Sequence, residues 1–216
     1  MSRLVPFTRE VFLGLFEQYN AAIWPAQPVA FALGLLVLLS ALKPYKGSGR
    51  LIAAVFAAAW IWNGVAYHML HFATLVWAAW AFGFLFVVQG LIFLGAGVLR
   101  GRLAFRFEGG VIGWAGIGMA LFAMAAYPLI GALTGQALSQ VPPFGLAPCP
   151  TAIFTLGVLL MAEPPVPLHL LVIPVLWSVV GGSAAWVLGV PQDLALPVAA
   201  VLTIVLAVGK NRLGRA

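Results

Sequence analysis

Residues 74–99 read TLVWAAWAFGFLFVVQGLIFLGAGVL, an apolar run without a single Asp, Glu, Lys or Arg. An α-helix needs about 20 such residues to cross the roughly 30 Å hydrocarbon core of a bilayer. The run is therefore long enough to cross. Arg100, Arg102 and Arg106 follow it directly. The pattern predicts a transmembrane helix that ends in a positively charged flank.

The rest of the chain is also rich in hydrophobic residues and poor in charged ones. Of the 216 residues in the whole chain, 63% are hydrophobic and 7% are charged, and the mean hydropathy is +1.09. A soluble domain carries about 25% charged residues. Because so few charges cannot form a hydrated shell, we expect lipid to surround the protein, and the bilayer is its predicted partner.

Apolar runs recur along the chain and predict about seven spans. They lie at about 26–42, 51–72, 74–99, 111–134, 145–162, 168–190 and 194–209. The fifth is the shortest clean run, since Pro148 and Pro150 stand in its first turns. A re-entrant hairpin is the alternative there, which would leave six spans. The predicted fold is an all-α, polytopic transmembrane helical bundle forming one domain over residues 1–216.

An amphipathic helix is predicted before the first span, at residues 8–20. Its sequence, TREVFLGLFEQYN, is too polar to cross a membrane. The apolar side chains that share one face at helical spacing are Val11, Phe12, Leu15, Phe16 and Tyr19. Such a helix either lies in the plane of the membrane interface or packs on the protein's own spans.

The basic residues predict the orientation. Nine of the eleven Lys and Arg fall in three segments, which contain Lys43, Lys46 and Arg50, then Arg100, Arg102 and Arg106, then Lys210, Arg212 and Arg215. Cytoplasmic loops carry such an excess, so we expect the N-terminus outside and the C-terminus in the cytoplasm. The tail charges of Arg3, Arg9, Glu10 and Glu17 cancel. Nucleic acid is not an expected partner, because the net charge of +6 is confined to loops.

No acidic or basic residue lies deep within a predicted span. Charged groups inside a membrane usually mark an ion path, because their burial is costly. Their absence disfavours a proton pump or a carboxylate-coupled transporter. It also disfavours a retinal protein, since the last predicted span has no central lysine for a Schiff base.

Four residues on the predicted outer side could bind a metal ion. His68 and His71 are three apart, which places them on one face of an α-helix. Cys149 lies at the entrance to the fifth span, and Asp193 precedes the seventh. Imidazole, thiolate and carboxylate are ligands for Zn²⁺ or copper. In the alternative interpretation, the histidines hydrogen-bond to backbone or water at a helix end.

Cys149 is the only cysteine, and prolines flank it on both sides. A thiol at a helix N-terminus is a better nucleophile or ligand than a free thiol. Cys149 could therefore serve a membrane enzyme. Alternatively, it is a small buried residue in a segment that plugs the bundle.

Asn63 and Gln89 are the clearest polar residues at mid-depth. Counted from the cytoplasmic ends of their spans at 1.5 Å per residue, they lie ~18 and ~15 Å up, near enough in depth to pair. They are interpreted either as an interhelical hydrogen bond or as the polar lining of a small-molecule path. Tyr67 is grouped with them as a candidate lining residue.

Three segments resemble a family of uncharacterised, polytopic bacterial membrane proteins. They are Tyr19-Asn20-Ala21-Ala22-Ile23-Trp24-Pro25, Trp62-Asn63-Gly64-Val65-Ala66-Tyr67-His68 and Ala147-Pro148-Cys149-Pro150-Thr151. The resemblance covers nearly the whole chain. It implies a location in the bacterial inner (plasma) membrane and implies no activity.

The leading functional hypothesis is a protein that binds or transports a small solute or a metal ion at its outer face. A non-catalytic scaffold or accessory subunit is the first alternative, and a membrane enzyme using Cys149 is the second. A non-enzymatic role is favoured. The sequence leaves open whether the protein forms a homo-oligomer or joins a membrane complex.

Overall fold

The apolar segments fold into α-helices throughout the computed structural model, which describes residues 6–213 and contains no β-strand among them. The α-helices of this region are α1 (Arg9–Ala22), α2 (Ala26–Leu42), α3 (Ser48–Trp62), α4 (Ala79–Phe93), α5 (Gly110–Leu121), α6 (Tyr127–Leu133), α7 (Pro148–Leu160), α8 (Val172–Leu188) and α9 (Ala195–Leu213). π-Helical turns continue α3, α4 and α5 at Asn63–Met69, Leu94–Leu99 and Phe122–Ala126. The predicted all-α bundle is confirmed.

Most of the predicted spans are long enough to cross a membrane. The five helical segments that qualify by length and composition are Ser48–Thr74, Ala79–Leu99, Gly110–Leu133, Leu168–Leu188 and Pro191–Leu213. α1 and α2 bend by 88° at their junction and would form a sixth if counted as one span. α7 has only 13 residues, about 20 Å of helix at 1.5 Å per residue.

Segments from all three basic clusters meet at one end of the bundle, the basic end. Arg50 and Arg106 line the same surface cleft there. The Arg106 Nε atom donates to Glu163 Oε1 at 3.1 Å, and Lys210 Nζ lies 3.5 Å from Glu108 Oε2. The predicted tail residues Arg3 and Arg215 lie outside the described residues.

The opposite end of the bundle, the far end, is formed by α1 and by the segments before α7 and α9. Within residues 6–213, the chain runs seven times between the two ends. The passes are α2, α3, α4, α5 with α6, α7, α8 and α9. α7 reaches the basic end, because the Arg106 N–H donates to Met161 O at 2.8 Å. α7 therefore passes from the far end to the basic end and is not a re-entrant hairpin. Its helix is shorter than the span predicted at 145–162.

α7 is the central helix, and all of its residues are buried. The non-helical segment that leads into it is held by side chains of its neighbours. The Tyr19 hydroxyl donates to Leu146 O at 2.7 Å, and Asn63 Nδ2 donates to Gly145 O at 3.1 Å. Irregular backbone is tolerated at membrane depth only where protein satisfies it in this way. A short helix can complete the pass because protein, rather than lipid, surrounds it.

The apolar face of α1 packs on the protein itself. Leu15, Phe16 and Tyr19 are buried, and the Phe16 ring stacks on Tyr67 with centroids 5.2 Å apart. The Thr8 hydroxyl caps the helix by accepting from Val11 N at 3.4 Å. The structure therefore shows the second of the two predicted roles, a helix that covers the far end of the bundle.

Candidate functional site

A cavity of about 400 Å³ opens among α1, α7, α8 and the start of α4, and we call it the aromatic cleft. The aromatic side chains that line it are Phe7, Phe12, Phe16, Tyr67, Phe72, Phe82 and Trp177. Binding pockets for small molecules have this size range and this largely apolar lining, with a few polar groups that orient the ligand. Here the polar groups include Cys149 and Asp193, and Ser183 lies at the exposed side of α8.

Asp193 is only 4% exposed, although it is a carboxylate. α8 ends at Gly189, whose φ of +64° is readily adopted only by glycine. The 3₁₀ turn Pro191–Leu194 then directs the chain into α9, and Asp193 is buried in that turn. The Tyr127 hydroxyl donates to Asp193 Oδ1. The acid predicted to lie in a loop before the last span is thus a buried group of the cleft.

His68 lies behind the wall of the cleft, fully buried, and neither ring nitrogen has a hydrogen-bond partner among the described residues. Its ring centroid is 4.6 Å from Phe86, 5.0 Å from Trp177 and 5.1 Å from Tyr67. The Trp177 Nε1 atom also lacks a partner in residues 6–213. Buried polar groups are rarely left unpaired, so this wall has unused hydrogen-bonding capacity.

His71 lies in a different environment from His68. Its Nδ1 atom is 2.6 Å from Ala66 O, and its ring lies 4.9 Å from Tyr19. The π-helical turn Asn63–Met69 contains His68 but ends before His71, so the two histidines do not lie on one face of an α-helix. His71 makes the backbone contact that the alternative interpretation expected.

The four predicted metal ligands do not form a metal centre. No group of three or more His, Cys, Asp or Glu side chains in the described part of the chain is arranged to hold a metal ion. Cys149 and Asp193 line one cleft, whereas His71 contacts Tyr19 on α1. The geometry lends no support to a Zn²⁺ or copper site.

Cys149 is at the start of α7, between its two prolines, and is 8% exposed with a free thiol. An added Cβ at Gly181 would lie 3.6 Å from Cys149 Sγ and 3.5 Å from Trp177 Nε1. The Cys149 thiol and the Trp177 indole nitrogen therefore both lie close to Gly181 of α8. The cysteine lines a cavity, and the segment before it fills the far end of the bundle, as the plug interpretation expected.

Asn63 and Gln89 do not pair with each other, contrary to the estimate of their depth. Asn63 Nδ2 donates to Gly145 O and to Thr151 Oγ1, at 3.1 and 3.3 Å. Gln89 Nε2 donates to Leu170 O at 3.0 Å. Each amide thus makes hydrogen bonds to another segment of the bundle, and no hydrogen bond joins the two amides. Equal depth did not imply contact, because the two amides face different neighbours.

We expect Asn63→Leu to lower the free energy of unfolding by about 1–2 kcal/mol, because the carbonyl of Gly145 and the hydroxyl of Thr151 lose a buried donor. Thermal unfolding of the purified protein measures this. Alkylation of Cys149 by N-ethylmaleimide should also become faster, since the segment before α7 loses an anchor. Gln18→Leu, on the exposed side of α1, is the control. Equal stability of both variants would contradict the assigned role of Asn63.

Two further polar residues of the far end were not predicted. Gln192 Nε2 donates to Gln136 Oε1 at 3.0 Å, and both side chains are buried. Gln192 directly precedes Asp193 in the chain. The Gln136 side chain packs on the same turn, and both amides lie beside Gly131 of α6. Their pairing depends on contacts between distant segments, and no local pattern marks it.

A bundle of apolar helices with a partly polar cleft defines a polytopic α-helical membrane protein. The chain belongs to a family of unknown function (DUF6064), whose model matches residues 9–216. This agrees with the resemblance to an uncharacterised family. No match to a curated protein or to a solved structure was found.

Proposed function

We propose that the protein binds a small, largely apolar molecule in the aromatic cleft. The observation that carries the proposal is a cavity of about 400 Å³ whose aromatic walls surround a buried Asp193 and Cys149. The Trp177 Nε1 atom, which has no hydrogen-bond partner within residues 6–213, offers a hydrogen bond at the same wall. An apolar body would fill the cavity, and a polar group on the ligand would face these side chains.

The ligand would enter from the bilayer. Val179, Val180 and Ser183 of α8 line the cleft and are also exposed on the outer surface of the bundle. If α8 spans the membrane, this surface faces lipid. An opening at such a place suits a molecule that is dissolved in the membrane rather than in water.

The basic end sets the proposed orientation. Positive segments stay in the cytoplasm, so the far end and the aromatic cleft would lie on the outer side, with the N-terminus outside. The proposed location is the inner membrane of a bacterium, as the resemblance implied. Binding at the outer face, with or without transport, is then the function of the protein.

Filling the cleft tests this proposal. Ala184→Trp places a large ring in the lining, whereas Ala81→Trp puts the same ring on the exposed side of α4. The probe is triphenylphosphine oxide, a neutral apolar molecule with one hydrogen-bond acceptor. We expect it to slow the alkylation of Cys149 by N-ethylmaleimide in the unmodified protein and in Ala81→Trp. Ala184→Trp should lose this protection at least tenfold.

The single cysteine makes the measurement specific, because no other thiol contributes. Partition of the probe into detergent affects the two tryptophan variants equally. If the probe protects Cys149 equally in both variants, or in neither the unmodified protein nor the control, the cleft does not bind apolar molecules of this size.

A further inference from the structure

Among the residues that the structure describes, the aromatic cleft is lined by one acidic side chain and by no basic one. Asp193 is its only Asp or Glu, and no Lys or Arg lines it. The ion pairs within residues 6–213 are Arg106 with Glu163 and Lys210 with Glu108, both at the basic end. Asp193 is therefore a buried carboxyl group that no cationic side chain of the described region neutralises.

The groups that do contact Asp193 are neutral donors. Tyr127 donates to it from α6, and the Cys149 thiol lies beside it at the start of α7. Hydrogen bonds of this kind orient a carboxyl group but bring no opposite charge to it. A buried charge is costly unless an opposite charge pairs with it. Within a membrane, such a residue typically marks a functional site and its missing partner.

The walls of the cleft suit a positive charge as well. Aromatic faces carry negative partial charge, and they attract ammonium and related cations placed over them. Trp177, Tyr67 and Phe82 line the cavity together with the carboxylate. Cages that combine aromatic rings with one acid recognise organic cations whose charge is shielded by carbon.

We infer that the ligand of the aromatic cleft is a lipophilic organic cation, with Asp193 as its counter-ion; this inference rests on the proposed function. The apolar substituents of such a cation contact the rings, and its positive centre lies near the carboxylate. A bare metal ion does not fit the site, since Cys149 and Asp193 are the only Cys, Asp, Glu or His side chains among its described lining residues. A metal ion needs more ligands than these.

Three phenyl-substituted probes of different charge test the inference. They are tetraphenylphosphonium, triphenylphosphine oxide and tetraphenylborate, which are cationic, neutral and anionic. Equilibrium dialysis against the full chain in detergent, corrected for protein-free micelles, gives each dissociation constant. We expect the cation to bind at least tenfold more tightly than the neutral probe, and the anion to bind more weakly than both.

Asp193→Asn keeps the shape of the side chain and an acceptor for Tyr127 but removes the charge. It should weaken binding of the cation at least tenfold and leave the neutral probe within about twofold, which also shows that the variant is folded. Asp193→Glu should keep the preference for the cation. A preference for the cation that survives in Asp193→Asn would overturn the role of Asp193.

The remaining outcomes separate the inference from the proposed function. Equal binding of the cation and the neutral probe, both lost in Ala184→Trp, would leave the proposed function standing and refute the cationic ligand. Binding of all probes that Ala184→Trp does not change, or no binding above that of empty micelles, would refute both.

Discussion

Replacement of Gly116 or Gly157 by alanine is expected to lower the free energy of unfolding by about 2–3 kcal/mol, the upper part of the range for overpacking a core. These glycines face each other where α5 crosses α7. A Cβ atom on either residue would stand 2.6 Å from the carbonyl oxygen of the other. The crowded atom is backbone on both sides, so the helices must separate to make room.

Gly118 provides the matched control for this prediction. It lies two residues from Gly116 on α5, and a Cβ atom there would meet nothing within 4 Å. Gly118→Ala should therefore leave the unfolding temperature unchanged or raise it slightly, since alanine favours the helix by up to about 1 kcal/mol in water. Thermal unfolding in detergent compares the three variants. Equal losses at positions 116 and 118 would show that close packing is not the cause.

This crossing shows what the sequence could predict about packing. Gly116 and Ala120 stand four apart, a spacing of small residues that is typical of close helix contacts in membranes. The partner of that face could not be read from the sequence. Gly157 lies in α7, where the residues on every side are buried, so its own helix carries no amphipathic pattern that would mark the contact face.

The approximate positions of the spans could be predicted from composition, but the residues at which their helices begin and end could not. The predicted run 74–99 contains α4 and its π-helical turn, Ala79–Leu99. Residues before Ala79 form short turns instead, although they are just as apolar. Hydropathy indicates whether a segment is stable in lipid. It does not indicate the residue at which a helix begins, because that residue depends on packing against neighbouring helices.

The histidine pair failed as a prediction for a local reason. A spacing of three places two residues on one face only if the segment is α-helical. Here the segment becomes a π-helical turn at Asn63–Met69 and ends before His71. Within this turn, Gly64 approaches the backbone of α4 closely. A Cβ atom on Gly64 would stand 2.7 Å from Gly83 O. Such a contact between helices cannot be seen in the periodicity of one segment.

Asp193 shows the opposite case, in which the residue was identified and its setting was missed. The sequence placed it before the last span, at residue 194, and so found no buried acid. The structure includes it in the segment Pro191–Leu213 and buries it against Tyr127. A carboxylate-coupled transporter was disfavoured because no predicted span contained an acidic residue. That conclusion depended on a predicted span that began a few residues too late.

Lys210 is the second residue whose replacement should have a large effect. It is 9% exposed although it stands near the end of α9. Its Nζ atom donates to Ala162 O at 2.8 Å and to Leu160 O at 3.3 Å, which are carbonyls at the end of α7. The last carbonyls of a helix have no partner within it, and a cation there also compensates the helix dipole. Lys210 thus caps the central helix from a neighbouring one.

Lys210→Met keeps the length of the side chain and removes the ammonium group. We expect the free energy of unfolding to fall by about 2–3 kcal/mol, because hydrogen bonds from a charged donor are lost and two buried carbonyls remain unpaired. Arg212→Met is the control, since Arg212 is exposed on the same helix and is expected to change the value by less than about 0.5 kcal/mol. Chemical or thermal unfolding of both variants measures the difference. If the two substitutions cost the same, α7 does not depend on Lys210 for its C-terminal cap, and the stability of the basic end must come from its loops.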